Sequence, residues 1–172
     1  MDSRVTQNTG RFAELVREHQ AMVFSIAFHF LHDSAVAEEL SQDVFLSLYR
    51  ELPRLESPSH VKFWLRKVIS HRAMDYMRTI RRRRELALEQ IPEPIGDAKL
   101  ADPLLEASVR KLVASLPHQA RMIVVLRYQE DMEPHEIGKV LGLPTATVKS
   151  RLHRSLAVLR GKAERLMGEP IR

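Results

Sequence analysis

The sequence contains no cysteine among its 172 residues. Neither a disulfide framework nor a thiolate metal site can therefore form. No apolar run approaches the eighteen or so residues of a membrane span, and residues 1–10 are polar and lack the apolar core of a signal peptide. These absences predict a soluble, cytoplasmic protein with no direct membrane insertion.

The sequence also lacks the motifs on which most enzyme predictions rest. It has no glycine-rich phosphate loop, no His-Glu-x-x-His and no nucleophile elbow. His29 and His32 are three residues apart and could share a metal, but no further ligand stands nearby and His29 lies between two phenylalanines. Asp43 and Asp75 fall in separate predicted helices and form no recognisable acid–base pair. We therefore predict no catalytic residue, no metal site and no cofactor.

Positive charge exceeds negative charge, with 27 lysines and arginines against 22 aspartates and glutamates and a pI near 9.8. This excess fits a polyanionic partner, although many basic proteins bind none. Residues 33–56 hold six acids and two bases, whereas residues 60–84 hold nine lysines or arginines and one acid. Phe63, Trp64 and Tyr76 are interleaved with those lysines and arginines. This mixture is typical of a nucleic-acid-binding surface, where aromatic rings stack on unpaired nucleobases and cationic side chains follow the phosphates. A solvated basic helix is the alternative.

Apolar residues recur at helical spacing through most of the chain, which predicts an all-α protein. Asp33 or Ser34 can cap one of the helices, and Ser57-Pro58 is typical of an N-cap followed by proline at the first helical position. The predicted helices ahead of the C-terminal stretch occupy residues 12–31, 35–49, 58–84, 104–116 and 117–129.

Residues 85–103 change character, because they contain Pro92, Pro94, Gly96 and Pro103 and little apolar periodicity. They predict a flexible linker between two small helical domains, residues 1–84 and 104–172. Fully extended, these nineteen residues reach roughly 60 Å, or about 18 steps of duplex DNA at about 3.4 Å each. The two domains could therefore hold DNA sites that are well separated along one duplex.

The most informative stretch is residues 134–160, which predict two short helices around a tight turn. Gly142 supplies the left-handed conformation that a helix end often needs, and Pro144 can begin the next helix. The apolar side of the second helix holds Val148, Leu152, Leu156 and Leu159. Its polar and basic side carries Thr145, Thr147, Lys149, Ser150, Arg151, His153 and Arg154.

This pattern predicts a helix-turn-helix whose second helix reads DNA in the major groove. With the two preceding helices it forms a four-helix C-terminal unit of winged-helix-like type. The alternative is an αα-hairpin with a solvated charged face. The absence of carboxylates from the outer face of the second helix favours DNA.

Residues 12–166 together resemble an extracytoplasmic-function sigma factor, the two-domain minimal form of the sigma-seventy family of bacterial RNA polymerase subunits. Residues 37–46, AEELSQDVFL, are similar to the acidic segment of sigma region two that docks on the clamp helices of the polymerase β′ subunit. Residues 63–78, FWLRKVISHRAMDYMR, are similar to the segment of the same region that ends in Asp-Tyr-x-Arg and engages the melted minus-10 element.

The C-terminal domain resembles sigma region four, which reads the minus-35 element. Residues 147–154, TVKSRLHR, carry the most specific part of this resemblance. Two positions depart from the family pattern. His71 stands where the family usually has asparagine, and Ala146 stands where glycine is common, a mild change because alanine suits a helix better.

The resemblance implies three groups of functional residues. For the minus-35 element they are Thr145, Thr147, Lys149, Ser150, Arg151, His153 and Arg154. For the minus-10 element they are Lys62, Trp64, Arg66, Lys67, His71, Arg72, Asp75 and Arg78. For core polymerase they are Glu38, Glu39, Leu40, Gln42, Asp43 and Phe45.

The function implied by the resemblance is that of a dissociable, non-enzymatic initiation subunit. Its implied partners are core RNA polymerase, through the β′ clamp helices and the β subunit, promoter DNA and an anti-sigma factor. Two other classes stay open at this point. A LuxR-like activator or repressor shares the helix-turn-helix but needs a sensor or dimerisation domain, and a nucleic-acid hydrolase needs clustered metal-binding carboxylates.

Overall fold

The computed structural model describes residues 2–87 and 103–168, and these two ranges contain helices and no strand. The prediction of an all-α protein is confirmed. The first range forms α1 (Asp2–Leu31), α2 (Ser34–Glu51), a 3-10 turn (Leu52–Arg54) and α3 (Pro58–Ala87). The second range forms α4 (Pro103–Ala114), α5 (His118–Tyr128), α6 (Pro134–Leu141) and α7 (Thr145–Met167).

Four helices are longer than the sequence predicted. The helix α1 begins at Asp2 instead of residue 12, and α2 spans Ser34–Glu51 instead of residues 35–49. The helix α3 continues to Ala87, so the first residues of the predicted linker 85–103 are helical, and α4 begins at its last residue, Pro103. Residues 88–102 of that linker lie outside the described residues. The helix α7 continues to Met167, seven residues beyond the predicted end at residue 160.

Side-chain caps start the two central helices of the first range. The carboxylate of Asp33 accepts a hydrogen bond of 3.0 Å from the backbone N–H of Val36, which selects Asp33 over Ser34 as the cap of α2. The hydroxyl of Ser57 accepts a hydrogen bond of 3.2 Å from the backbone N–H of His60, and Pro58 begins α3. Both predicted starts are therefore confirmed, because each cap satisfies a backbone donor that the first helical turn leaves without a partner.

The three helices of the first range pack against one another around large apolar side chains. The fully buried positions recur every three or four residues along each helix, as the sequence pattern predicted. They include Val23, Ile26, Phe30, Val44, Leu48, Leu65 and Ile69.

Two glycines allow the turn between α6 and α7, one through its backbone conformation and the other through its lack of a side chain. Gly142 caps α6 in the left-handed conformation, with φ 67°, as predicted. Gly138 lies inside α6 and is buried, and the backbone N–H of Leu143 donates a hydrogen bond of 2.9 Å to its carbonyl. A Cβ atom at position 138 would lie 2.6 Å from the carbonyl oxygen of Leu143, so only glycine allows this close approach.

The described parts of the two predicted domains pack directly against each other. The helix α5 lies against α1 and α3, and α6 lies against α3. The buried apolar cluster continues from the first range into Met122, Ile123, Leu126, Ile137 and Val140 of the second. The helices α1–α3 and α5–α7 therefore share one contiguous apolar core.

A buried arginine stands at this junction. Arg121 of α5 is 2% exposed, and its guanidinium donates to the carbonyl of Phe30 at 3.3 Å and to the carbonyl of Ala114. It also lies 5.5 Å from the centre of the Phe30 ring. Because Phe30 and Ala114 end α1 and α4, the cation meets the carbonyl ends of two helices, where positive charge is favoured.

His32 lies at the same junction, directly after α1. It is buried, and its backbone adopts a positive φ of 54°. Burial, and to a smaller extent the charges of Arg121, Arg110 and His29, lower its pKa from the ordinary 6.5 to about 4. The imidazole is therefore neutral at physiological pH.

We predict that Gly138→Ala destabilises the protein by about 1–3 kcal/mol, because the new methyl group meets backbone rather than a movable side chain. Gly161→Ala is the matched control, since Gly161 lies within α7 and has open space around it. The control should be neutral or stabilise by up to about 1 kcal/mol through helix propensity. Urea unfolding measures both, and equal stability of the two variants would contradict the close approach.

We predict that protonation of His32 at low pH decreases the free energy of unfolding. Its folded pKa lies below its unfolded value, so stability is complete above pH 6.5 and declines as the pH falls from 6.5 towards 4. His32→Asn, which tolerates the positive φ, should reduce this decline by up to about 3 kcal/mol. Urea unfolding at several pH values measures it, with exposed His60→Asn as the control. Parallel pH profiles of wild type and His32→Asn would contradict the prediction.

Candidate nucleic-acid interface

The helix-turn-helix of the sequence prediction is present as α6 and α7. Val148 is fully buried and Leu152 half-buried, so α7 is anchored through one side. The buried side then continues through Ser155, which is 4% exposed, while Leu156 is 36% exposed. The prediction that Leu156 faces inward is therefore wrong, because the stripe steps by three residues after Leu152 instead of four.

The seven residues predicted for the minus-35 element all lie in the first three turns of α7. Lys149, Ser150, His153 and Arg154 are exposed, and the other three, Thr145, Thr147 and Arg151, are half-buried. They form one continuous polar face with no acidic side chain, because α7 has its first carboxylate at Glu164. That face can offer hydroxyl, imidazole and cationic donors to phosphates and base edges.

Local hydrogen bonds order part of this face. The guanidinium of Arg154 donates to the carbonyl and the hydroxyl oxygen of Ser150, both at 3.3 Å. The hydroxyl of Ser150 donates to the carbonyl of Thr147 at 3.1 Å. Ser150 therefore holds Arg154 back along the helix in the absence of DNA.

The residues predicted for the minus-10 element follow α3 and fall into two sets. Lys62, Lys67, Asp75 and Arg78 are exposed, and Arg78 pairs with Asp75 at 2.9 Å. The half-buried set contains Trp64, which packs against the core, and Arg66, His71 and Arg72. The charges of the exposed set lie open to a polyanion, whereas members of the second set already have partners within the chain.

Arg66 and His71 are engaged by the C-terminal part of the chain. The Arg66 guanidinium pairs with the carboxylate of Glu130 at 3.4 Å. The His71 Nε2 lies within hydrogen-bond distance of the Val140 carbonyl, at 3.1 Å. Two residues expected to face DNA therefore face α5–α6 of the same chain.

Arg72 connects the basic helix to the acidic one. It donates to the hydroxyl of Ser47 at 2.7 Å and pairs with Asp43 at 3.8 Å. Asp43 was predicted as a polymerase contact and Arg72 as a DNA contact. The ion pair is half-exposed, so it contributes little stability but sets the two predicted surfaces side by side.

An apolar groove of about 830 Å³ lies between α1 and α2. The apolar side chains of Phe12, Val16, Phe24, Phe45 and Leu46 line it, together with Glu38 and Gln42. Of the residues predicted for core polymerase, Glu38, Glu39, Gln42 and Asp43 are exposed, Leu40 is half-buried and Phe45 is buried. The structure therefore combines an apolar groove with acidic side chains on α2.

Two residues of this arrangement were missed in the sequence. The sequence interpretation gave no role to Arg121, within the predicted helix 117–129, or to Glu130, directly after it. Burial raises the pKa of Glu130, while the neighbouring Arg66 lowers it. The position of Arg121 next to the start of an otherwise apolar run, ARMIVVL, is the one sequence signal that could have marked it as buried.

Two kinds of feature, a metal-binding cluster and a membrane-spanning helix, are absent from the described ranges. No three histidine, aspartate or glutamate side chains in residues 2–87 and 103–168 converge closely enough to hold a metal ion. Across the same residues, no helix combines the length and the apolarity needed to cross a membrane.

Comparison with protein families gives two matches. Residues 15–84 match the model of Sigma-70 region 2, and residues 106–159 match that of Sigma-70, region 4. The first match covers the α1–α3 surfaces described above and the second covers the helix-turn-helix. The residues of these two matches leave out the stretch predicted as a linker.

Similar proteins include several sigma factors. The RNA polymerase sigma-E factor of Streptomyces coelicolor is 36% identical over 152 residues, which cover 87% of this chain and 84% of that protein. The ECF RNA polymerase sigma factor SigE of Mycolicibacterium smegmatis is 31% identical over 156 residues, 86% of this chain. The match covers 59% of the length of SigE. The probable RNA polymerase sigma factor RfaY of Xanthomonas campestris pv. campestris is 27% identical, and its match covers 40% of the length of that protein.

Solved structures that share the fold include two protein complexes. The sigma factor RpoE, in its co-crystal with the anti-sigma factor NepR from Bartonella quintana, superposes with a TM-score of 0.74 at 20% identity, covering 88% of this chain and 95% of that one. CnrH, in complex with the cytosolic domain of CnrY, superposes with a TM-score of 0.66 at 20% identity and covers 89% and 87%.

Proposed function

Because the chain belongs to the extracytoplasmic-function group of the sigma-70 family, we propose that it serves as a dissociable promoter-recognition subunit of RNA polymerase. It binds the core enzyme in the cytoplasm, recognises minus-35 and minus-10 elements, promotes DNA melting and performs no catalysis itself. The observation that carries this proposal is the presence, in one chain, of a basic recognition helix and an acid-lined apolar groove on separate elements.

The minus-35 element is read by α7. A helix with an exposed basic and hydroxyl-bearing face fits the major groove, which admits one α-helix. Lys149 and Arg154 supply cations, His153 supplies an imidazole, and the threonines and Ser150 supply hydroxyl groups. Most of these contacts go to phosphates and position the helix, and a smaller number read base edges.

The melted minus-10 strand follows α3. Lys62, Lys67 and Arg78 attract the phosphates, and the ring of Trp64 supports the helix from the core side. One base of the strand flips out near the short connection 55–57 ahead of α3, at an unpairing cost of a few kcal/mol. The cations of α3 thus bind the strand through its phosphates, and the connection 55–57 recognises the flipped base.

Core polymerase docks at the groove between α1 and α2. Glu38 and Gln42 are exposed beside the apolar residues that line the groove, and Glu39 is exposed on the same helix, so α2 fits basic helices of the β′ subunit that cover an apolar strip. The β subunit and an anti-sigma factor are further partners that we propose. The two solved structures named above are complexes, one with an anti-sigma factor and one with the cytosolic domain of CnrY.

The comparisons give no support to the activator or repressor alternative. The N-terminal half matches Sigma-70 region 2 over residues 15–84, where a LuxR-like protein would need a sensor or dimerisation domain. The helix-turn-helix is therefore interpreted as one half of a sigma factor.

Run-off transcription with core polymerase of the same organism and a promoter library tests the proposed function. Wild type should direct initiation from a subset of promoters. Glu38→Lys should lower core binding and transcription at least severalfold, because it reverses a charge at the groove. Glu18→Lys, on exposed α1 surface, is the charge-matched control. No initiation by the folded wild type, without inhibitor, would refute the proposal.

Duplex binding by the holoenzyme tests α7 separately. Lys149→Ala should weaken binding to the best promoter of the library severalfold and reduce the salt slope of the affinity by about 1, because one phosphate contact is lost. Lys111→Ala removes the same charge from the exposed surface of α4 and should change neither quantity. Fluorescence anisotropy at several salt concentrations measures both. An unchanged slope in Lys149→Ala would contradict the phosphate contact.

A further inference from the structure

An arginine of α1 reaches the short connection ahead of α3. The Nη2 atom of Arg11 donates a hydrogen bond of 3.0 Å to the carbonyl of Leu55, 44 positions away in the chain. Leu55 opens the connection 55–57, where the proposed function places the flipped base of the minus-10 strand. Arg11 itself lies outside the predicted DNA and polymerase surfaces.

Local contacts hold the two ends of this connection. The side chain of Leu55 is buried, and its backbone N–H donates to the carbonyl of Leu52 at 3.3 Å. At the other end, Ser57 caps α3 through its hydroxyl, and its carbonyl accepts a hydrogen bond of 3.0 Å from the backbone N–H of Val61. Glu56 stands between these two residues and is exposed. The path of the chain through Glu56 therefore depends on how Leu55 is oriented.

The hydrogen bond from Arg11 acts on the dihedral angle that directs the connection. Leu55 leaves the 3-10 turn in an extended conformation, with φ −95° and ψ 102°. Because the peptide group is planar, rotation about ψ moves the carbonyl oxygen and the following nitrogen together. A donor that fixes the oxygen of Leu55 therefore also fixes the direction of Glu56. A charged guanidinium is a stronger donor than a neutral group, which suits it to this restraint.

The neighbour of Arg11 on α1 fixes the arginine in turn. The ring of Phe12 packs edge to face with the ring of Tyr49 in α2, with centroids 5.2 Å apart and planes at 82°. This contact attaches α1 to the last turn of α2, directly ahead of the 3-10 turn. Arg11 is exposed, so its removal opens no cavity in the apolar core.

We propose that Arg11 is a positioning residue for the flipped base. Through the Leu55 carbonyl it holds the connection 55–57 in the conformation that receives the base, and it does not contact DNA. A connection that is ordered in advance loses less conformational entropy when it binds, which raises the affinity. The inference rests on the proposed function for the base that is received, whereas the restraint on the connection is a property of the chain itself.

The absence of cysteine allows the restraint to be measured directly. Glu56→Cys introduces a single cysteine at the exposed position of the connection, and a nitroxide spin label on it reports the mobility of this segment. In the labelled chain, Arg11→Ala should increase the mobility of the label. Arg17→Ala is the matched control, because it removes an exposed arginine from the same helix, and it should leave the spectrum unchanged.

Binding of single-stranded DNA by the holoenzyme tests the effect on the base. The probe is the melted-strand oligonucleotide of the minus-10 region from the best promoter of the library, in a set in which one position at a time is abasic. For wild type, the abasic change at the flipped position should weaken binding about tenfold.

Arg11→Ala should lose most of this dependence on the base. If the freed connection holds the receiving conformation about a tenth of the time, the variant binds the intact strand about fivefold more weakly than wild type, and the abasic change weakens its binding only about twofold. It should bind the abasic strand as tightly as wild type does, because that strand does not use the connection. Arg17→Ala should keep the full wild-type difference.

The results separate positioning from a direct contact. If Arg11 bound a phosphate, Arg11→Ala would weaken the intact and abasic strands equally and lower the salt slope of the affinity by about 1, which would overturn the proposal. A folded Arg11→Ala variant with wild-type label mobility, or a mobile one that keeps the wild-type dependence on the base, would overturn it as well. If Arg11→Ala does not fold by circular dichroism, Arg11→Gln, which keeps part of the stem but is too short to reach the carbonyl, replaces it with the same expectations.

Failure of the proposed function would look different. If no abasic position affects binding by wild type, base capture by the connection 55–57 is refuted, and with it the role of Arg11 toward DNA. A rise in label mobility in Arg11→Ala would in that case still support the restraint on the connection.

Discussion

The arrangement of the described chain depends on the buried guanidinium of Arg121. It meets the carbonyl ends of α1 and α4 and the ring of Phe30, so one cation satisfies acceptors from both halves of the chain. A buried charge needs such partners, because burial without them costs several kcal/mol. This requirement sets α5 against the end of α1, and from that position α6 reaches α3. The contacts of His71 and Arg66 with the C-terminal part follow from this placement.

Charge segregation then determines what each surface can do. The acidic residues of α2 border an apolar groove, the basic residues of α3 and α7 form two separate cationic faces, and Arg72 ties the acidic and basic helices together through Asp43. A chain with these faces can bind a basic protein surface and a polyanion at the same time without the two partners competing. The same segregation lets Glu130 pair with Arg66 of a basic helix.

Much of the fold and of the candidate site was predictable, because both depend on local spacing. Helix starts at Asp33 and Ser57, the left-handed Gly142 and the polar face of α7 all follow from residues within about four positions of one another. The errors were also local in origin. Leu156 was expected inside because a repeat of four was continued, whereas packing against the rest of the domain selected Ser155. The extension of α7 to Met167 has no sharp sequence signal, since its last turns are polar.

The sequence by itself determined the all-α class, the helix-turn-helix, the separation of acidic from basic helices and the resemblance that identified the family. Each of these is written in the order and spacing of neighbouring residues. Only the tertiary structure decided that Arg66 meets Glu130 across 64 positions, His71 meets Val140 across 69 and Arg121 meets Phe30 across 91. Such pairs leave no periodic trace, because they form only when burial of the shared apolar core brings distant helices together.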